Sequence, residues 1–267
     1  MAKILYPDPY IRGMNYYMSL YFVVALAHLW DRPETHIPLE DTPITLAMSG
    51  DSNASVLLYN MHDNENTSAI AGRLVSSRYG GQYFELLHTG DRNIGFAYGE
   101  ACDSIFIDPN RIYTDAGIWI QLEKNNSTDT SLFQTIGIWR DSLLSLLRIH
   151  ERSLVIALHN NTNKFYSVES YIAGGEYEAE ADTTYQGKVR DMDDFYFVTD
   201  QKIFDMLATG KYHVVLQAEQ TLTDDGSLSV YCAQHGIPYI NVEAQHDHLV
   251  RQIRMLIFAF QKLILGV

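Results

Sequence analysis

The strongest constraint on this chain is a repeated unit. A short apolar run of strand length stops at a polar cluster, and a segment of helical period follows. Residues 55–61, SVLLYNM, stop at His62. Ser104–Ile107 stops at Asp108-Pro109-Asn110-Arg111, and Ser153–Leu158 stops at His159. Phe195–Val198, His213–Leu216 and Pro238–Val242 are further runs of the same kind. Asn66 or Thr67 can cap a helix through Ala69, Ile70, Leu74 and Val75 that Gly80-Gly81 ends. Residues 131–148 carry Leu132, Ile136, Trp139, Leu143, Leu144 and Leu147 on one side of a helix. Asp200 and Gly210 bracket another helix, one more lies near residues 227–235, and residues 247–264 close the chain as an amphipathic helix. Near-continuous apolar strands are buried on both faces, so the expected fold is α/β: a mixed, mostly parallel central sheet with helices on both faces. The polar groups are expected just past the strand ends, where open α/β sheets bind ligands.

At 267 residues the chain fits one large domain with a sizeable core. Its formal charge of −14, from 33 acidic and 19 basic residues, argues against a nucleic-acid partner. Cys102 and Cys232 form neither a CxxC pair nor a disulfide framework and read as two buried thiols. Residues 20–27, LYFVVALA, are too few to span a bilayer, and no other segment suggests a stable membrane span. The run has the length of a signal-peptide core, with Ala25-x-Ala27 as a cleavage site and Lys3 and Arg12 upstream. Residues 1–30 are therefore set apart as a signal or N-terminal segment, and 31–267 as a single domain. The expected location is exported, periplasmic or secreted, with a cytoplasmic location as the alternative. Residues 31–50, bearing Pro33, Pro38 and Pro43, read as a lead-in loop or edge strand. Residues 174–194 read as an irregular acidic loop.

Three distant segments combine into one chemistry. His62-Asp63-Asn64-Glu65 offers an imidazole and a carboxylate three residues apart. His159 ends one apolar run and Glu243, in Asn241-Val242-Glu243-Ala244, ends another. Two His and one Glu is a ligand set for catalytic zinc that leaves a fourth position for water. A further carboxylate then serves as general base. A carboxylate closing a buried strand needs a partner or a metal nearby. Asp63, Asn160 and Asp247 are candidates to orient the imidazoles, while His246 and His248 read as surface residues or supporting neighbours.

The set resembles the zinc carboxypeptidase superfamily, including its aspartoacylase and succinylglutamate desuccinylase branch. The resemblance rests on HxxE at His62 and Glu65, LHNNT around His159, DPNRIYT, and NVEAQHD around Glu243, in order over residues 55–245. It implies zinc held by His62, Glu65 and His159, and Glu243 as the catalytic carboxylate. Asn110 and Arg111 would hold a substrate carboxylate. A further arginine that polarises the scissile carbonyl is matched by Arg92. Residues 62–68, HDNENTS, lack the glycine-bearing loop common in the aspartoacylase branch. The family's loop tyrosine has three competing candidates, Tyr171, Tyr177 and Tyr185.

The implied function is a zinc-dependent amide hydrolase acting on a peptide beside a free carboxylate. Zinc acidifies a water and polarises the amide, Glu243 moves the proton to the leaving amine, and Arg111 grips a carboxylate in a bidentate fork. Alternatives are an aspartoacylase-like deacylase of N-acyl amino acids and a non-catalytic binding domain on the same fold. Arg111 could instead be structural, paired with Asp108 or Asp115.

Overall fold

The computed structural model describes residues 33–99, 103–162 and 166–266. The apolar run at residues 20–27 therefore lies outside the described residues, as does Cys102. The compact unit Glu34–Val267 is built on a nine-stranded sheet with the order β1-β2-β4-β3-β7-β11-β9-β10-β8. The strands are β1 (Glu34–His36), β2 (Thr45–Gly50), β3 (Val56–Asn60), β4 (Gln82–Leu87), β7 (Leu154–Asn161), β8 (Ala181–Tyr185), β9 (Phe195–Val198), β10 (His213–Gln217) and β11 (Tyr239–Gln245). A separate antiparallel ribbon pairs β5 (Ile94–Tyr98) with β6 (Asp103–Ile107). The helices are α1 (Asn66–Tyr79), α2 (Asp115–Lys124), α3 (Thr130–Leu147), α4 (Gln201–Leu207), α5 (Leu228–Gln234) and α6 (Leu249–Leu263).

The mixed sheet and its helices match the expected α/β class. The middle, β4-β3-β7-β11, is parallel throughout, and antiparallel pairs lie towards both rims. Period-2 alternation sorts the core into two layers. Leu57, Tyr59, Val155, Ala157 and Tyr239 pack with α2, α3 and α5 on one face. Val56, Leu58, Ile156, Leu158, Ile240 and Val242 pack with α1, α4 and α6 on the other. Fully burying one such aliphatic side chain contributes about 1.5–3 kcal/mol, so these continuous runs hold both helix layers to the sheet. Cys232 belongs to the first layer, and burial pushes its thiol well above the usual range.

Four local expectations are corrected. Ser104–Ile107 does not join the central sheet; its strand is half-exposed and belongs to the ribbon. The segment 174–194 is not all loop, because β8 forms an antiparallel edge against β10. Its residues, ADTTY, are only partly buried and show no apolar run. The cap of α1 is Glu65, not Asn66 or Thr67. His159 and Glu243 do not lie past the strand ends but inside β7 and β11, directly opposite each other in the parallel register. Continuing the pairing beyond the apolar residues keeps both polar side chains on the Ala157 and Asn241 face, which fixes their separation.

Candidate active site

Parity along the strands determines which side chains meet. His159 follows Val155 and Ala157 on one face of β7, and Glu243 follows Tyr239 and Asn241 on the same face of β11. The turn leaving β3 brings His62 and Glu65 to this end of the sheet, closed by Glu65 N–H donating to His62 O at 3.1 Å. His62 and Glu65 are essentially fully buried, and His159 and Glu243 nearly so.

His62, Glu65 and His159 converge on one point. His62 Nδ1 lies 2.9 Å from Glu65 Oε1, His159 Nδ1 lies 3.1 Å from Glu65 Oε2, and the two Nδ1 atoms are 3.1 Å apart. The corners of a tetrahedral zinc shell are roughly 3.3 Å apart when the bonds are about 2.0–2.1 Å. The donor types and their convergence therefore fit a metal ion, and these three residues could hold one.

The surroundings aim each donor. His62 Nε2 donates to Asp108 Oδ1 at 2.9 Å. An ionised carboxylate only accepts, so Nε2 carries the proton and Nδ1 is turned to the cluster. Burial alone would favour neutral His62, but Glu65 and Asp108 push its pKa up to about 9. Burial alone would raise the Glu65 carboxyl, but His62 and His159 hold it well below the usual range. Glu65 Oε2 also accepts from Asn160 N–H at 2.9 Å. Because Glu65 is committed to the cluster, its side chain does not cap α1. Asn160 Oδ1 takes over one free amide of that helix, the Ser68 N–H, at 2.8 Å.

The other anticipated residues border the same cleft of about 770 Å³, which Glu65, His159, Glu243, Arg92, Asn110 and Arg111 all line. Glu243 Oε1 accepts from Asn241 Nδ2 at 2.9 Å. Burial holds its carboxyl above the usual glutamate range; His159 opposes that shift and the Glu65 charge adds to it. Arg92 donates to Glu65 Oε1 at 2.8 Å and to Asp108 Oδ2 at 3.4 Å, with about half its side chain exposed. Asp63 positions the loop before Arg92 by accepting from His88 N–H and Gly90 N–H at 2.7 and 2.8 Å. Asn110 Oδ1 accepts from Leu228 N–H at 3.0 Å. Arg111 donates to Asn110 O at 2.7 Å and pairs with Asp225 at 3.3 Å, so its direct partner is neither Asp108 nor Asp115.

Several residues of the site were not singled out from sequence. Asp108 orients His62, a task for which Asp63, Asn160 and Asp247 were the candidates; its signal was its position at the end of Ser104–Ile107, beside Asn110-Arg111. Asp247 instead donates its backbone N–H to Thr67 Oγ1. Tyr166 joins Tyr171 and Tyr177 in the cleft wall, and the Tyr166 and Tyr171 hydroxyls are hydrogen-bonded. Tyr185 is not among the lining residues and donates to Gly210 O.

No protein-family model matches the chain. No curated protein matches it either. Among solved structures it is similar to a candidate metallopeptidase of Shewanella baltica (10% identity, 93% of this chain and 90% of that one, TM-score 0.44). It is similar to an aspartoacylase family protein of Mesorhizobium loti (12%, 87% and 66%, 0.48). A succinylglutamate desuccinylase/aspartoacylase of Rhodobacter sphaeroides is a third (11%, 87% and 65%, 0.45). The likeness to these three structures is one of fold.

Proposed function

We propose that this chain is a zinc-dependent amide hydrolase that cleaves an amide near a free carboxylate. The observation that carries the reading is the convergence of His62 Nδ1, Glu65 and His159 Nδ1, of which Glu65 and His159 line the cleft, with Glu243 opposite His159 across the strand pair. When bound there, zinc supplies the charge that acidifies a water and polarises an amide carbonyl. Glu243, held by Asn241 and lining the cleft, takes the water's proton and returns it to the leaving nitrogen. Arg92, which lines the cleft and is held by its bonds to Glu65 and Asp108, stabilises the charge developing on the carbonyl oxygen in this reading. Arg111 and Asn110 bind the substrate carboxylate, and Asp225 orients the Arg111 guanidinium.

The test is metal content. Protein purified without chelator and reconstituted with zinc should hold close to one zinc per chain, and His159→Ala should lose most of it. Wild-type protein that stays free of metal after reconstitution sinks the reading. The second reading, a deacylase of N-acyl amino acids, uses the same carboxylate grip. Turnover of N-acyl amino acids in preference to peptides would establish it.

A further inference from the structure

The cleft that Arg111 lines is also walled by Asn161 on β7, Gln217 on β10 and Asn241 on β11, whose amide oxygens lack donors. Asn241 spends its amide N–H on Glu243, and Asn161 spends its own on Asp193 O at 2.6 Å. Those bonds fix both amides with the oxygen as the free end. Asn161 Oδ1 and Asn241 Oδ1 are buried without a hydrogen-bond partner, and so is Gln217 Oε1. The three side chains are only 6%, 8% and 4% exposed, and all three line the cleft. A buried carbonyl oxygen in a cleft needs a donor to arrive from outside.

Charge points the same way. Asp225 and Glu180 also line the cleft. Asp225 is matched by Arg111, whereas Glu180 accepts only from Thr223 N–H and pairs with no cation among the described residues. Both arginines at the cleft are already engaged by carboxylates. An acidic side chain entering here meets Glu180 and Glu243 with no free cation to balance it. An apolar one leaves the amide oxygens unpaired.

We propose that this part of the cleft is a specificity pocket for a substrate side chain ending in an amine, as in lysine or another diamino acid, with Gln217 and Asn241 as its selecting residues. An ammonium group brings three N–H donors and a positive charge, which answers both the free oxygens and the acidic wall. The proposal rests on the reading that Arg111 takes the neighbouring carboxylate, and it adds which residue carries that carboxylate.

The experiment uses the zinc-reconstituted full chain with N-acyl dipeptides and N-acetyl amino acids that differ only in the last side chain: lysine, norleucine or glutamate. Wild type should favour lysine over norleucine by about 10- to 100-fold in kcat/KM, and over glutamate by more. Gln217→Leu should lower the lysine-to-norleucine ratio at least tenfold, mainly through KM. Gln217→Glu should raise it, which separates selection from a folding defect. Equal or better use of norleucine or glutamate by wild type overturns the proposal, as does a ratio unmoved in both variants. If nothing is turned over, calorimetric titration with free lysine and norleucine decides. A tenfold or greater preference for lysine that depends on Gln217 upholds the pocket and sinks the hydrolase reading instead. Equal binding, or no binding of either, overturns the pocket.

Discussion

Glu65 meets His62, His159, Arg92 and the Asn160 amide at once, and Asp108 joins His62 to Arg92. The site is therefore one connected network with Glu65 at its centre. Glu243 stands apart from the three donors and makes its close contact with Asn241. Glu243→Gln should keep zinc and lose turnover by about 10²–10⁴-fold, because the amide keeps the shape but cannot accept the proton. Retention of more than a tenth of wild-type activity rules Glu243 out as the base, and loss of metal would make it a ligand. Asp108→Asn tests the neighbouring role. It should weaken zinc binding about 10- to 100-fold, read by competition with a chelator, since the amide holds His62 Nε2 less firmly. Unchanged affinity removes Asp108 as the residue that aims His62. The donors were legible in sequence because few residue types bind zinc and HxxE is a local spacing. Asp108 and Asn241 were not read, because an acid or amide beside a strand end is common. What distinguishes them is a partner 46 residues away for Asp108, and for Asn241 a carboxylate two residues along the same strand face.

Elements place these residues through close backbone contacts as well as through strand parity. Gly117 in α2 lies against Gly226, just before α5, and both lie against the Arg111 carbonyl. A Cβ on Gly117 would stand 2.2 Å from Gly226 Cα and 2.6 Å from Arg111 O. These neighbours are backbone and cannot swing aside. Tyr113 N–H also donates to Gly226 O at 2.9 Å, tying the loop that carries Arg111 to the same turn. Gly117→Ala gains about 1 kcal/mol of helix propensity, against an overpacking cost of about 1–3 kcal/mol with the upper end expected where backbone is struck. The net should be destabilising, lowering Tm by a few degrees, and KM should rise more than kcat falls as Arg111 shifts. An unchanged melting curve would show that the contact relaxes freely. Neither glycine stood out in the sequence, because their meeting joins segments over a hundred residues apart. The buried strands β3, β7, β9, β10 and β11 and the helices α1, α3 and α6 were legible, since apolar runs and the 3.6 period are local, whereas the buried strand β4 and the helix α2 were not read. The edge strand β8 was not, because ADTTY is partly exposed and paired on one side by β10 alone, and so carries no apolar signature.

At the scale of the whole molecule, the β3–α1 turn, β7, β11 and the end of the β5–β6 ribbon meet at one end of the sheet, so metal binding and fold stability are linked there. The class of the sheet and the order of its motifs were legible along the chain, whereas the charge balance at their junction is a property of the assembled fold. His62 makes the linkage testable. Its pKa rises from 6.5 to about 9 on folding, with Glu65 and Asp108 overcoming burial. A raised folded pKa means that the metal-free protein gains stability from protonated His62 in full below about pH 6.5 and loses it as pH climbs towards 9. A metal at the site needs the same Nδ1 deprotonated. Zinc must therefore displace this proton, and its apparent affinity should fall about tenfold for each pH unit below 9 as His62 protonates. The two effects have opposite signs, so the Tm difference between zinc-loaded and chelated protein should widen steadily from pH 6.5 to pH 9. Asp108→Asn removes one of the two carboxylates that raise the His62 pKa, and should make that widening end at lower pH. Melting curves of both proteins with fixed free zinc, taken across this range, check the sign. A Tm difference that stays flat in wild type means that His62 is not protonated in the metal-free fold and that the Glu65–His62–Asp108 chain does not govern metal binding.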